Sequence, residues 1–215
     1  LIGLPLGSYE AGYTNSVAGL SAQATRSIKA GFYRYSKHHL VPFGEFIPLK
    51  PIFGWVIQVL QIPLSDFSRG SLDQQPMDLA GQRVAINICY EDVFGEEIIY
   101  QLPQATMLVN VSNDAWFGRS IGPQQHLQIS QMRALETGRY MLRATNTGVT
   151  AIINERGEVL QTIEIFTTAA LHGLAQGFTG TTPYVRTGNY LALGLAGLII
   201  CSGFISAFRV ARKTL

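Results

Sequence analysis

The sequence is short of charge and of cysteine. Asp, Glu, Lys and Arg make up 14% of its 215 residues, against about 25% in an ordinary soluble domain. Two cysteines exclude a disulfide-stapled scaffold. Neither sign of charge dominates, with 16 Lys and Arg against 14 Asp and Glu, so the basic footprint of a nucleic-acid-binding protein is missing. No internal repeat or low-complexity stretch is visible. What is present is apolar. Hydrophobic residues reach 47% and the mean hydropathy is +0.18, which excludes a disordered chain.

The charge deficit gathers at the C-terminus. Residues 190–208 read YLALGLAGLIICSGFISAF, without one charge. At about 1.5 Å per residue such a helix reaches roughly 28 Å, close to the hydrocarbon thickness of a bilayer. A buried core helix is the alternative, but core helices are usually shorter and keep a polar face. Gly194, Gly197 and Gly203 suit close helix contact in a membrane. Arg209, Arg212 and Lys213 follow at once, and only Arg186 stands near the other end. The positive-inside rule puts the tail in the cytoplasm and the rest on the far side. The expected organisation is a portion outside the cytoplasm over 1–189, a transmembrane helix over 190–208 and a basic cytoplasmic tail over 209–215.

Before the span, apolar strands alternate with helices. Strands are expected at 31–36, 83–88, 106–111, 141–144, 149–153 and 159–165, with a turn at 154–157 (NERG). Helices are expected at 51–61, 93–102 and 123–139, the last with Pro123 in its first turn. Residues 1–30, with several glycines, read as strand and turn material. The pattern predicts an α/β layered domain whose sheet is covered on both faces.

Three places carry chemistry. Cys89 closes the strand at 83–88 and opens into Tyr90-Glu91-Asp92. A strand-to-helix turn exposes a nucleophile and aims helix amides at developing negative charge. A nearby cation would lower the thiol pKa; the alternative is an inert buried cysteine. The second place is YSKHHLVPFGE over 35–45. Lys37, held in a cleft, can stabilise a thiolate and an oxyanion, and Glu45 can orient that lysine or act on protons. A solvated lysine beside a turn glutamate is the plainer reading. Adjacent His38 and His39 diverge, and no other cluster has ligand spacing, so no metal site is expected. The third place is NVSNDAWFG over 110–118, either the rim of a site at a strand end or a structural loop.

Taken together and in order, YSKHHLVPFGEFIPL, NICYED, LVNVSNDAWFG and QMRALETGRYMLRATNTG resemble the nitrilase superfamily. The likeness runs from about Tyr13 to the C-terminus. Within the superfamily it is to the membrane-bound branch that N-acylates lipoproteins, because a final span and a basic tail do not belong to the soluble amidases. The resemblance implies a nitrilase-like αββα sandwich and a Glu-Lys-Cys triad. By motif match Lys37 is the catalytic lysine, Cys89 the nucleophile and Glu45 the supporting glutamate. Tyr90 and Glu91 match residues beside the nucleophile that the acyltransferase needs for substrate. The triad glutamate is expected upstream of this portion: nothing between Leu1 and Ala30 matches its motif, and Glu10 in LGSYEAGY does not resemble it. The chain therefore resembles the C-terminal part of such an enzyme and is expected to be inactive alone.

The implied reaction moves an acyl chain from a phospholipid to the N-terminal amine of a diacylglyceryl-cysteine apolipoprotein. It passes through an acyl-thioester on Cys89, without a cofactor. The implied location is the bacterial inner membrane, with the catalytic portion in the periplasm, and a monomer is expected. Residues 51–64 (PIFGWVIQVLQIPL) are expected either as an arm dipping into the outer leaflet or as core packing. Trp116 and Phe117 are expected either as a mobile lid or in contact with the acyl chain, and Asn146 and Thr147 near the site. Two rivals remain open: a nitrilase-type amidase using the same thiol, and a membrane-anchored binding module without catalysis.

Overall fold

The computed structural model describes residues 1–8, 10–20, 32–49, 51 and 66–211. Two sheets lie face to face. Strands β1 (Ile2–Ser8), β2 (Gly12–Gly19) and β3 (Tyr33–Ser36) form an antiparallel sheet in that order. Strands β4 (Met77–Leu79), β5 (Gln82–Ile88), β6 (Met107–Ser112), β7 (Met141–Thr145), β8 (Thr150–Ile153) and β9 (Val159–Ile163) form the second, also in sequence order. Its centre, β5-β6-β7, is parallel, and the flanking pairs are antiparallel.

The alternation of side chains along β5 builds both cores. Val84, Ile86 and Ile88 point one way, joining Met77 and Val109 against Val17 and Tyr35 between the sheets. Ala85 points the other way, in a row with Leu108 and Met141, under Ala134 of helix α2 (Gly122–Thr137) and beside Ile98 and Leu102. Helix α2 carries Pro123 in its first turn and ends on Gly138, whose φ of 63° is left-handed, a conformation glycine adopts without steric cost. The large sheet is thus covered on both faces as expected, by helix on one and by the small sheet on the other. Among the described residues no helix lies over the outer face of the small sheet.

The strand expectations hold to within a residue or two. The helix expected at 93–102 is instead three short pieces: a 3-10 turn at Cys89–Val93, the single turn α1 (Gly95–Ile98) and a 3-10 turn at Ile99–Gln101. Phe94, at φ −99° and ψ 77°, stands outside helical space and breaks the run. The helix expected at 51–61 and the arm at 51–64 lie, Pro51 apart, outside the described residues. After β9 the chain reaches α3 (Pro183–Thr187), capped by Thr182, and then α4 (Tyr190–Ala211). Residues Tyr190–Ala207 of α4 are long and apolar enough to cross a membrane, and none of that stretch is buried in the protein. Thr182 Oγ1 also donates to the Glu136 carbonyl of α2, and Asn189 Nδ2 donates to Glu96 Oε2 at 3.2 Å.

Candidate active site

Toward the C-terminal ends of β5, β6 and β7 the apolar row Ala85, Leu108, Met141 gives way to Asn87, Asn110, Arg143 on the same face. These three are buried. Asn110 Nδ2 donates to Asn87 Oδ1 at 2.5 Å, and Arg143 Nη1 donates to Asn110 Oδ1 at 3.2 Å. In a sheet with a parallel centre, chemistry collects at this end. Cys89 sits there, one residue past β5.

Cys89 is half-buried and reduced, with a left-handed φ of 52°. A side chain other than glycine pays steric energy for that conformation. It turns the thiol out of the strand direction, as at a nucleophile elbow. Two donors hold the Cys89 carbonyl: Asn110 Nδ2 and His126 Nε2, each at 3.2 Å. Burial pushes the Cys89 thiol pKa up. The Lys37 charge, the Ser112 hydroxyl and the Tyr90 amide pull it back, and Asp114 pushes it up further. The net shift is upward, contrary to the lowered pKa expected from a helix terminus and a cation. The broken helix after Cys89 explains part of this, since a single turn contributes little dipole. A thiol in this state needs a base to become a nucleophile.

Lys37 follows β3 and is wholly buried. Its ammonium lies 2.9 Å from Glu45 Oε1 and 2.8 Å from Oε2. Glu45 in turn accepts from Asn15 Nδ2 at 2.7 Å and from the Val41 amide at 2.8 Å. The Lys37 amide donates to the Asn15 carbonyl at 2.7 Å. The motif over 35–45 therefore folds back on itself, and β2 fixes both partners of the ion pair. Glu10, in the link between β1 and β2, is exposed.

Glu91 stands between these two pieces, 3% exposed. Oε1 accepts from the His38 and His39 amides at 2.6 and 3.2 Å. Oε2 accepts from the Ile88 amide at 2.7 Å and from Tyr35 Oη at 3.0 Å. Burial raises its pKa, and the three amides oppose that. Its four donors tie the Lys37 loop to the Cys89 turn, so the carboxylate expected beside the substrate is filled by protein. Tyr90 is only partly covered, edge-on to Phe94 at 5.1 Å and to His39 at 5.9 Å. Trp116 is 68% exposed and Phe117 38% exposed, on the rim formed by the 3-10 turn Asp114–Phe117. Asn146 accepts from the Asp114 amide at 3.0 Å and donates to Asn113 at 2.7 Å, tying two rim loops together.

Sequence reasoning missed the ionic cluster under the elbow. His126 Nδ1 meets Asp114 Oδ1 at 3.0 Å, and Nε2 meets Asp92 Oδ1 at 3.0 Å. Arg143 Nη1 binds Asp92 Oδ2 at 3.2 Å, and Nη2 binds Asp114 Oδ2 at 3.0 Å. Ser130 Oγ donates to Asp92 Oδ2 at 2.6 Å. Arg143 Nη2 also lies 2.6 Å from His126 Nδ1, a contact of two donors that the paired carboxylates outweigh. Burial would lower the His126 pKa, but hydrogen bonds to Asp114 and Asp92 push it up to about 9. Burial likewise opposes the Asp114 carboxylate, but hydrogen bonds from His126 and Ser112, with the Arg143 charge, hold its pKa below the ordinary value. Two cations and two anions thus balance in the interior. The available signal was α2 itself. Its buried face runs His126, Ser130, Ala134, Thr137, and a polar inner face at helical spacing asks for polar partners.

A two-sheet α/β domain with a cysteine elbow beside a buried Lys-Glu pair defines the class. The chain belongs to the carbon-nitrogen hydrolase family, whose model matches residues 7–173. It is 69% identical over 208 residues to an apolipoprotein N-acyltransferase of Nitrosomonas europaea, covering 97% of this chain and 40% of that protein. A second, from Ralstonia nicotianae, is 55% identical over 192 residues, covering 87% of this chain and 35% of that one. The chain thus spans well under half the length of these relatives. Among solved structures, a carbon-nitrogen hydrolase of Helicobacter pylori matches at TM-score 0.52 and 14% identity, over 75% of this chain and 56% of that one. The glutamine-dependent NAD+ synthetase of Acinetobacter baumannii matches at TM-score 0.53 and 15% identity, over 78% of this chain and 29% of that one. These two likenesses concern the fold alone.

Proposed function

We propose that this chain is the thiol-bearing part of an N-acyltransferase that moves an acyl chain from a phospholipid to the N-terminal amine of a diacylglyceryl-cysteine apolipoprotein. The observation that carries the reading is the half-buried Cys89 on its strained turn, with its thiol in the field of a wholly buried Lys37. Cys89 is the nucleophile. The general base is a glutamate from a part of the enzyme beyond these residues, in keeping with the 40% of the Nitrosomonas relative that the chain spans. It takes the thiol proton, and the thiolate attacks the ester carbonyl. The Tyr90 amide and the Lys37 ammonium stabilise the oxyanion. The carbon–oxygen bond breaks, the base returns its proton to the departing lysophospholipid oxygen, and an acyl-thioester remains. The lipoprotein amine then attacks that carbonyl and loses a proton to the base. The thiolate leaves and an amide has formed, in two-step ping-pong chemistry. Glu45 orients Lys37, and Trp116 and Phe117 line the acyl path.

Helix α4 crosses the bacterial inner membrane with the tail in the cytoplasm and the catalytic portion in the periplasm. Its apolar, unburied surface supports a lipid substrate. The family description favours a second reading, hydrolysis of a small amide by the same thiol. Full-length enzyme incubated with labelled phospholipid separates the two. The expected result is one acyl group on Cys89 by intact-mass spectrometry, absent in Cys89→Ala. Turnover of a small amide with no acyl group on Cys89 sinks the acyltransferase reading.

A further inference from the structure

The Cys89 turn demands more restraint than its own segment supplies. With φ at 52° the cysteine would relax toward ordinary extended backbone unless its carbonyl is held. His126 is built to hold it. Nε2 reaches the Cys89 carbonyl at 3.2 Å. On the opposite side of the same rigid ring, Nδ1 reaches Asp114 Oδ1 at 3.0 Å. That oxygen also accepts from Ser112 Oγ at 2.5 Å, which commits the single proton of the Ser112 hydroxyl to the carboxylate. The path runs from the Cys89 carbonyl through the imidazole and the carboxylate to a hydroxyl at the end of β6. A histidine ring donates at both nitrogens only as the imidazolium.

The ring cannot swing away. Asp92 Oδ1 takes a share of Nε2, Arg143 Nη2 lies 2.6 Å from Nδ1, and Phe117 stands edge-on at 5.9 Å. Asp92 is itself held by Ser130 and Arg143. His126, Asp92, Asp114, Ser130 and Arg143 are all buried, so the group acts through Cys89 and not on a substrate. We infer that His126 is the positioning residue of the nucleophile, fixing Cys89 at its carbonyl while Asp114, steadied by Ser112, holds the ring in place. This rests on the reading of Cys89 as nucleophile and adds the device that sets its geometry and reactivity. The charged groups that face the thiol are Lys37 and Asp114, and those that face the imidazole are Asp92, Asp114 and Arg143.

The test uses the full-length enzyme in detergent with Cys201→Ser as background. The rate of Cys89 alkylation by iodoacetamide is followed against pH, by intact mass, for the parent, His126→Gln and Ser112→Ala. Ser112→Ala leaves the four buried charges in place and reports even where His126→Gln does not fold. With the ring loosened the turn relaxes and carries the thiol away from the Lys37 charge that lowers its pKa, so both variants are expected to move the alkylation midpoint up by about one unit and to slow the rate at pH 7 roughly tenfold. The KM for the phospholipid donor stays at the parent value. A purely structural role would lower the melting temperature and leave the alkylation curve where it was. A parental curve for Ser112→Ala, or for a folded His126→Gln, overturns the inference. Parent enzyme that alkylates normally at Cys89 yet takes no acyl group from phospholipid overturns the acyl-transfer reading instead and leaves this one standing.

Discussion

Two buried ionic groups flank Cys89, and they are built differently. On the small-sheet side Lys37 meets one carboxylate, Glu45, which keeps Asn15 and the Val41 amide as further donors. On the helix side Asp92, His126, Asp114 and Arg143 satisfy one another and Ser130 besides. The first group turns a charge toward the thiol. The second pairs its charges inward and offers the elbow one shared imidazolium N–H at the Cys89 carbonyl. A buried pair with few partners remains available to chemistry, whereas a saturated cluster is scaffold. Its cost of desolvation is repaid only while every member is present.

Breaking the saturated cluster gives the largest effect. Arg143→Leu leaves two buried carboxylates facing one imidazolium, and a loss of about 3–5 kcal/mol is expected, read by denaturant or thermal unfolding. Lys37→Met is expected to cost less stability, because Glu45 retains two donors. It should slow formation of the acyl-enzyme by roughly 10²–10³-fold, the scale of a lost oxyanion donor, measured by quenched-flow mass spectrometry. Equal stability losses in the two variants would erase the distinction.

The pH dependence sharpens the comparison. The folded-state pKa of His126 is about 9 against 6.5 for the free side chain. Its contribution is therefore complete below about pH 6.5 and fades as pH rises through 9, with a size on the order of 3 kcal/mol. The melting-temperature gap between parent and His126→Gln should shrink across that window; a constant gap contradicts the assignment. The smallest effect is at the edge of the Lys37 group. Asn15→Ala removes one hydrogen bond to Glu45, with about 1 kcal/mol expected in stability and little change in the alkylation curve of Cys89.

Much of the fold is legible in the sequence. Strands such as β5 and β6 are continuous apolar runs that only a doubly covered sheet can bury, and α2 announces itself by Pro123 at one end and Gly138 at the other. The 93–102 segment misled, because its composition suits a helix while Glu91 and Asp92 are drawn inward and Phe94 leaves helical space. Cys89, Lys37 and Glu45 were legible as a motif. His126 and Arg143 were not, since neither lies near Cys89 in sequence and each alone reads as a surface residue. Only α2 lying across β5, β6 and β7 makes them one cluster.

The sequence by itself determined the periodicities, the apolar C-terminal helix and the local motif that carries thiol and lysine, because these depend on residues close along the chain. The tertiary structure decided the direction of the Cys89 pKa, the filling of Glu91 and the pairing of four distant charges. Those depend on burial and on which groups share a low-dielectric interior, and no spacing within the chain encodes that.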